Sequence, residues 1–224
     1  MTDPKKEIYV QVAIVLYPGF TALDVIGPYE VLGRLPGTQV VFVAENPGLV
    51  TNDLGSLSIN VVKHLDEVPG PDVVLVGGGP GQADQMTDGA LHDWLRMVDR
   101  SATWMTSVCT GSLVLAASGV LSGRRATTHW GALDQLTQFG VTPTPERVVI
   151  DGHYATGAGV SAGIDMALTL AGRISGDDVA QAVQLLIEYA PQPPYNAGSR
   201  ETASGDVVDT LFTIFGPDNS KESD

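Results

Sequence analysis

The stretch Ala102-Thr103-Trp104-Met105-Thr106-Ser107-Val108-Cys109-Thr110-Gly111-Ser112-Leu113-Val114-Leu115-Ala116-Ala117 changes character at its centre. Up to Val108 it is apolar and rich in β-branched side chains, which predicts a buried strand over residues 103–108. Beyond Cys109 it turns to small and leucine-type residues, which predicts a helix over residues 110–117. Cys109 therefore stands on a strand-to-helix turn. The run Ser107-Val108-Cys109-Thr110-Gly111 has the grammar of a nucleophile elbow, in which small neighbours let the chain turn sharply enough to present the central side chain. A lone cysteine is more often a small buried hydrophobe, so the weight of this reading lies in the spacing. Free N–H groups at a helix start favour an anion, so the thiol is expected to ionise below its usual value of about 8.5.

Outward from this turn, short β-branched runs alternate with longer helical ones, the pattern of an α/β fold with a mostly parallel sheet. Strands are predicted at residues 10–17, 39–44, 73–76, 103–108 and 148–150, with a shorter piece at 126–128. Residues 58–62 and 153–156 read as smaller antiparallel additions. Helices are predicted at 22–35, 90–100, 110–117, 131–139 and 163–174, the last capped by Ser161, and from Asp177 as cap to about 188. Pro191, Pro193 and Pro194 then forbid helix, a last helix is predicted at 206–215, and the polar residues 217–224 read as a disordered tail. One domain over residues 1–216 is the expectation.

The composition narrows the function classes. With 12 basic and 26 acidic residues the formal net charge is −14, which repels phosphate backbones and anionic lipid, so neither nucleic acid nor a membrane surface is expected as a partner. One cysteine makes no intrachain disulfide and falls short of a zinc-ligand set, and it fits a reducing, cytoplasmic compartment. The first apolar run, residues 9–17, follows Lys5 and Lys6 but is β-branched, lacks a small-residue cleavage site and runs into Asp24 and Glu30. It reads as a first buried strand rather than a signal peptide. No apolar run reaches the roughly 18 residues of a membrane span.

In parallel sheets ligands sit beyond the carboxyl ends of the strands, so the loops that follow the predicted strands should share one rim with Cys109. Gly77-Gly78-Gly79-Pro80 is such a loop, and consecutive glycines there can bring N–H groups to a substrate as an anion-stabilising hole. The first strand leads to Tyr17-Pro18-Gly19-Phe20 and a helix that carries two acids, Asp24 and Glu30. Six residues put them on opposite sides of that helix, so only one can reach the cysteine, and position favours Asp24. Among the histidines His129 alone lies near a strong motif, and it reads as structural; His64, His92 and His153 occupy surface-like contexts.

Several runs carry a resemblance: Leu23-Asp24 with Gly27-Pro28, the ten residues 106–115, residues 123–130, residues 163–170 and residues 188–199. Together they resemble the DJ-1/PfpI superfamily and, within it, the bacterial isocyanide hydratases. The resemblance implies a flavodoxin-like three-layer sandwich and a homodimer. It also implies that Cys109 attacks the terminal carbon of a small isocyanide to give a thioimidate, from which water releases an N-substituted formamide. By the same resemblance Asp24 is the acid/base partner, Thr110 the hydroxyl beside the cysteine, and Gly78, Gly79 and Val160 are backbone contacts. No metal or organic cofactor is indicated. One departure is Ala158 in residues 156–161, where those hydratases carry a third glycine, and it is expected to bear on rate. Superfamily proteases place a histidine after the cysteine, where this chain has Thr110. Regulators resembling AraC share the 107–111 and 126–130 runs before helix-turn-helix domains, whereas this chain is acidic, shows no basic recognition helix and ends soon after Phe215. A ligand sensor, and a redox or stress protein resembling DJ-1, stand as alternatives to the hydratase.

Overall fold

The computed structural model describes residues 10–216. In chain order the elements are β1 (Val10–Val15), α1 (Ala22–Leu32), β2 (Thr38–Ala44), β3 (Gly48–Thr51), β4 (Ser58–Val61), β5 (Lys63–His64), β6 (Val73–Val76), α2 (Ala90–Val98), β7 (Trp104–Val108) and α3 (Gly111–Ala117). They continue with β8 (Arg125–Ala126), β9 (Thr142–Pro143), β10 (Val148–Asp151), β11 (Tyr154–Gly157), α4 (Ala162–Ser175), α5 (Asp177–Leu186) and α6 (Gly205–Phe215). Single 3-10 stretches span Leu65–Glu67, Pro80–Gln85 and Trp130–Phe139.

A seven-stranded sheet in the order β10-β11-β7-β6-β1-β2-β5 forms the centre. Every neighbouring pair is parallel except β10 with β11. The central strand β6 reads as an unbroken apolar run because both of its faces are covered; Val73, Val74, Leu75 and Val76 are all buried. On one side α1 packs on α4 and α4 on α5, while α3 packs on α2 and on the 3-10 stretch 130–139. This is the flavodoxin-like α/β arrangement, with helices flanking a mostly parallel sheet.

The register matters most for function. Val15 of β1 stands beside Val76 of β6, Val76 beside Ser107 of β7, and Val108 beside Gly157 of β11. Four strands thus end level, and the segments that follow them meet at one rim.

The predicted strands and helices are present with ends shifted by a few residues, and four readings are corrected. The segment read as a small antiparallel addition at 153–156 does pair antiparallel with β10, but it is no addition: β11 lies inside the sheet, parallel to β7, and β10 forms the edge. A four-residue strand of Tyr, Ala, Thr and Gly offers little β-branched signal, and burial of all four residues stabilises its central place. The segment 130–139 is 3-10 rather than α-helical. Ser161 makes no capping bond; its hydroxyl accepts from the Arg147 guanidinium at 3.2 Å. Asp177 is in the first turn of α5, with Gly176 as the preceding cap residue.

The chain divides into two compact units, one through Glu188 and one from Tyr189 onward. In the second unit the Ser204 hydroxyl caps α6 by accepting from the Val207 N–H at 3.4 Å. The tail at 217–224 lies outside the described residues. Among those described, no helix is long and apolar enough to cross a membrane.

Candidate active site

Cys109 adopts φ 56°, one of only two non-glycine residues with positive φ among those described. A left-handed backbone costs a side-chain-bearing residue roughly 1–2 kcal/mol, so the surroundings must hold it there. They do so at both ends of the residue. The Cys109 N–H is shared between the carbonyls of Gly157 and Ala158 at 3.1 and 3.2 Å, and its own carbonyl accepts from the hydroxyls of Thr128 at 2.8 Å and Ser112 at 3.2 Å. The small residue two places on is required by close approach: a Cβ on Gly111 would lie 2.1 Å from the Val76 carbonyl oxygen.

The side chain faces a carboxyl. Asp24 lies in the first turn of α1 and is wholly buried. Its Oδ2 accepts the Gly78 N–H at 2.9 Å, while Oδ1 is buried with no hydrogen bond of its own. The Cys109 thiol is its neighbour, close enough that each group moves the other's titration. Burial is the main reason that the Asp24 pKa rises to about 7, against the Gly78 N–H and the thiol, which pull it down. Burial, then the Asp24 charge, pushes the Cys109 thiol up to about 12.

That rise corrects the expectation of a lowered thiol. The N–H groups of Thr110 and Val160 do stabilise the thiolate, as a helix start should, but desolvation and the neighbouring carboxylate outweigh them. Cys109 is only 6% exposed. Burial thus favours the protonated form of both groups, and the Asp24 charge opposes ionisation of the thiol beside it.

The glycine loop serves the two side chains. The Gly78 N–H is committed to Asp24, and the Gly79 N–H donates to the Thr110 hydroxyl at 3.1 Å. A Cβ on Gly78 would sit 2.5 Å from both the Thr110 nitrogen and its hydroxyl, so glycine is needed for the loop to lie this close to the elbow. Val160, in the loop from β11 to α4, completes the ring around the sulfur through its N–H. Asp24, Gly78, Gly79, Cys109, Thr110 and Val160 are thus brought together. Among the described residues, no group of three or more His, Cys, Asp or Glu side chains is placed to hold a metal.

The DJ-1/PfpI family pattern matches residues 10–173, a span that holds every one of these groups. The chain belongs to the DJ-1/PfpI family. It is 46% identical over 200 residues to the isonitrile hydratase of Pseudomonas putida, covering 89% of this chain and 87% of that protein. It is 33% identical to the HTH-type transcriptional regulator CdhR of Pseudomonas aeruginosa, covering 75% of this chain and 52% of the regulator. The crystal structure of a ThiJ/PfpI family protein from Pseudomonas syringae matches with a TM-score of 0.88 at 35% identity, over 96% of this chain and 92% of that one. DJ-1beta of Drosophila melanogaster matches with a TM-score of 0.74 at 25% identity, over 82% of this chain and all of that one.

The remaining candidates are not part of this ring of groups. Glu30 is on the surface, ion-paired with Arg34 one helical turn away. His129 accepts the Gly131 N–H on Nδ1 at 3.2 Å and lays its ring against Gly159, where a Cβ would meet its Cδ2 at 2.5 Å; burial lowers its pKa. His92, expected at the surface, is buried, with Nε2 2.8 Å from the Gln85 carbonyl. His64 meets the Asp66 N–H at 3.2 Å, and His153 meets Asp99 at 3.0 Å. Ala158 gives its carbonyl to Cys109 and its N–H to the Arg147 carbonyl, and it is not left-handed, so nothing in its backbone demands glycine. The sequence reading missed Tyr17 and Thr128. Tyr17 was visible only as the end of a strand that leads to the rim, and Thr128 as part of a strand that the fold cuts short.

Proposed function

We propose that the protein hydrates isocyanides, R–N≡C, to N-substituted formamides through a covalent bond to Cys109. The observation that carries this reading is the buried Asp24 carboxyl held by the Gly78 N–H beside the Cys109 thiol on its left-handed elbow, in a chain 46% identical to an isonitrile hydratase. Addition to an isocyanide requires that one carbon gain both a nucleophile and a proton. As sulfur bonds to the terminal carbon, Asp24 takes the thiol proton and delivers it to that carbon, giving the thioimidate R–N=CH–S. Thiolate charge that develops on the way is met by the Thr110 and Val160 N–H groups.

Water then adds to the thioimidate carbon, with Asp24 as its base. One water proton passes to nitrogen, the carbon–sulfur bond breaks, and the second returns to sulfur, leaving R–NH–CHO and the free thiol. The Thr110 hydroxyl accepts from Gly79 and keeps its own proton to donate to the substrate nitrogen. Buried surroundings suit this sequence because they exclude competing water until the thioimidate has formed.

The test is formamide formation from a simple isocyanide by purified protein, with mass spectrometry of the protein for the Cys109 adduct. Turnover with the adduct supports the reading. No formamide under any pH between 5 and 9 overturns it.

A further inference from the structure

One peptide group in the site is bonded at both ends. The carbonyl of the Gly77–Gly78 peptide accepts the Tyr17 phenol at 2.5 Å, and its N–H donates to Asp24 Oδ2 at 2.9 Å. The three groups are buried, Tyr17 being 4% exposed. Gly111 presses on the same peptide from α3: a Cβ there would lie 2.8 Å from the carbonyl carbon and oxygen of Gly77. The chemistry derived above makes no use of the phenol, yet a phenylalanine would fill the apolar space equally well. The oxygen needs a reason.

A hydrogen bond received at an amide oxygen draws electron density through the amide and makes its N–H a stronger donor. We infer that Tyr17 is a positioning residue for Asp24: through the Gly77–Gly78 peptide its O–H fixes the plane of that peptide and strengthens the bond that holds the carboxylate. The inference rests on reading Asp24 as the proton carrier, and deepens it by naming what orients that carboxyl. The phenol is suited to the role because burial, and after it the charges of Asp24 and Cys109, raise its pKa well above 10, so it stays protonated as a donor. Besides Tyr17 and Cys109, the charge acting on Asp24 is Asp53, bonded to the Thr21 hydroxyl at 2.7 Å, which pushes the Asp24 pKa up.

The experiment follows the Asp24 carboxyl directly, by its C=O stretch in infrared difference spectra against pH, in wild type, Tyr17→Phe, and protein carrying 3-fluorotyrosine at position 17. Wild type should titrate near 7. Cooperative strengthening of about 10–30% on a charge-assisted bond corresponds to an upward shift of roughly 0.1–0.7 pH unit in Tyr17→Phe. The fluorinated phenol is a stronger donor and should move the midpoint down. With isocyanide, Tyr17→Phe should lower kcat and leave KM unchanged, by far less than the roughly 10²–10⁴-fold cost of losing a general acid. An unchanged midpoint in folded Tyr17→Phe, or shifts of the same sign in both variants, overturns the inference. If Tyr17→Phe does not fold, the fluorinated protein decides alone, a downward shift in favour and no shift against. If wild type makes no formamide, the hydratase reading falls while the infrared midpoints still decide what Tyr17 does.

Discussion

At the scale of single residues, the proposed chemistry moves a proton between two buried groups, and this has consequences for both rate and stability. Cys109→Ala should leave the fold intact and reduce formamide production on the order of 10⁴–10⁶-fold, the range seen when a covalent nucleophile is removed. Cys109→Gly should be as inactive yet more stable than Cys109→Ala by about 1 kcal/mol in urea denaturation, because glycine relieves the left-handed backbone at φ 56°. For Asp24 the sign follows from its raised pKa, about 7 folded against 3.8 in the unfolded chain. The native state binds the extra proton, so wild-type stability falls as pH rises from about 4 to about 7, by roughly 4 kcal/mol in all. Asp24→Asn carries no such dependence. Its stability relative to wild type should therefore climb across that interval, while its turnover collapses and Cys109 still reacts with iodoacetamide. Parallel melting curves for the two proteins would sink this account of Asp24. Cys109 and Asp24 were legible in the sequence because the turn grammar and the helix start fix where each side chain lies. The direction of the thiol's pKa was not, since local N–H donors can be read from the chain but desolvation depends on what distant segments cover.

At the scale of elements, the loop from β11 to α4 is the most sensitive part of the site, because it carries the Ala158 carbonyl and the Val160 N–H together. Gly159→Ala puts a methyl group 2.5 Å from the His129 ring. Overpacking of this kind typically costs about 1–3 kcal/mol, and here it should also lower kcat/KM by moving Val160 from the sulfur. Adding His129→Ala removes the obstructing ring, so the double variant should recover both stability and turnover relative to Gly159→Ala. If recovery fails, the loop is held by something other than that contact. Residues 154–157 show why this region was hard to read. A strand so short carries no usable period, and its place next to β7 comes from hydrogen bonds with a partner far back in the chain. Residues 131–139 read as helical, and the 3-10 form of Trp130–Phe139 reflects tertiary packing that propensity does not encode. β6, no longer than β11, was plain from its unbroken apolar run, which β11 lacks.

At the scale of the whole chain, every group assigned to the chemistry lies before Glu188, in the first of the two units. Arg200 is exposed, in a stretch without helix or strand between Pro191 and α6, and offers trypsin a cleavage point. Brief trypsin treatment should cut there before it cuts the first unit, and the nicked protein should keep the wild-type pH profile of Cys109 alkylation. A changed profile would mean that residues beyond 188 act on the site. Within the first unit, the bonds from Gly157 and Ala158 to the Cys109 N–H have a meaning for the order of synthesis. A ribosome adds roughly 5–20 residues per second, so Cys109 exists for some seconds before the carbonyls that grip it, and the loop with Val160, have been made. A nascent chain that stops short of β11 carries an ordinary exposed thiol, free to ionise near 8.5 and open to any electrophile or oxidant. Docking of β11 ends that interval. Cys109 is thus most open to indiscriminate chemistry before the chain is complete, and growth under oxidative stress should damage newly made chains rather than finished ones, as mass spectrometry of Cys109 in pulse-labelled protein would show.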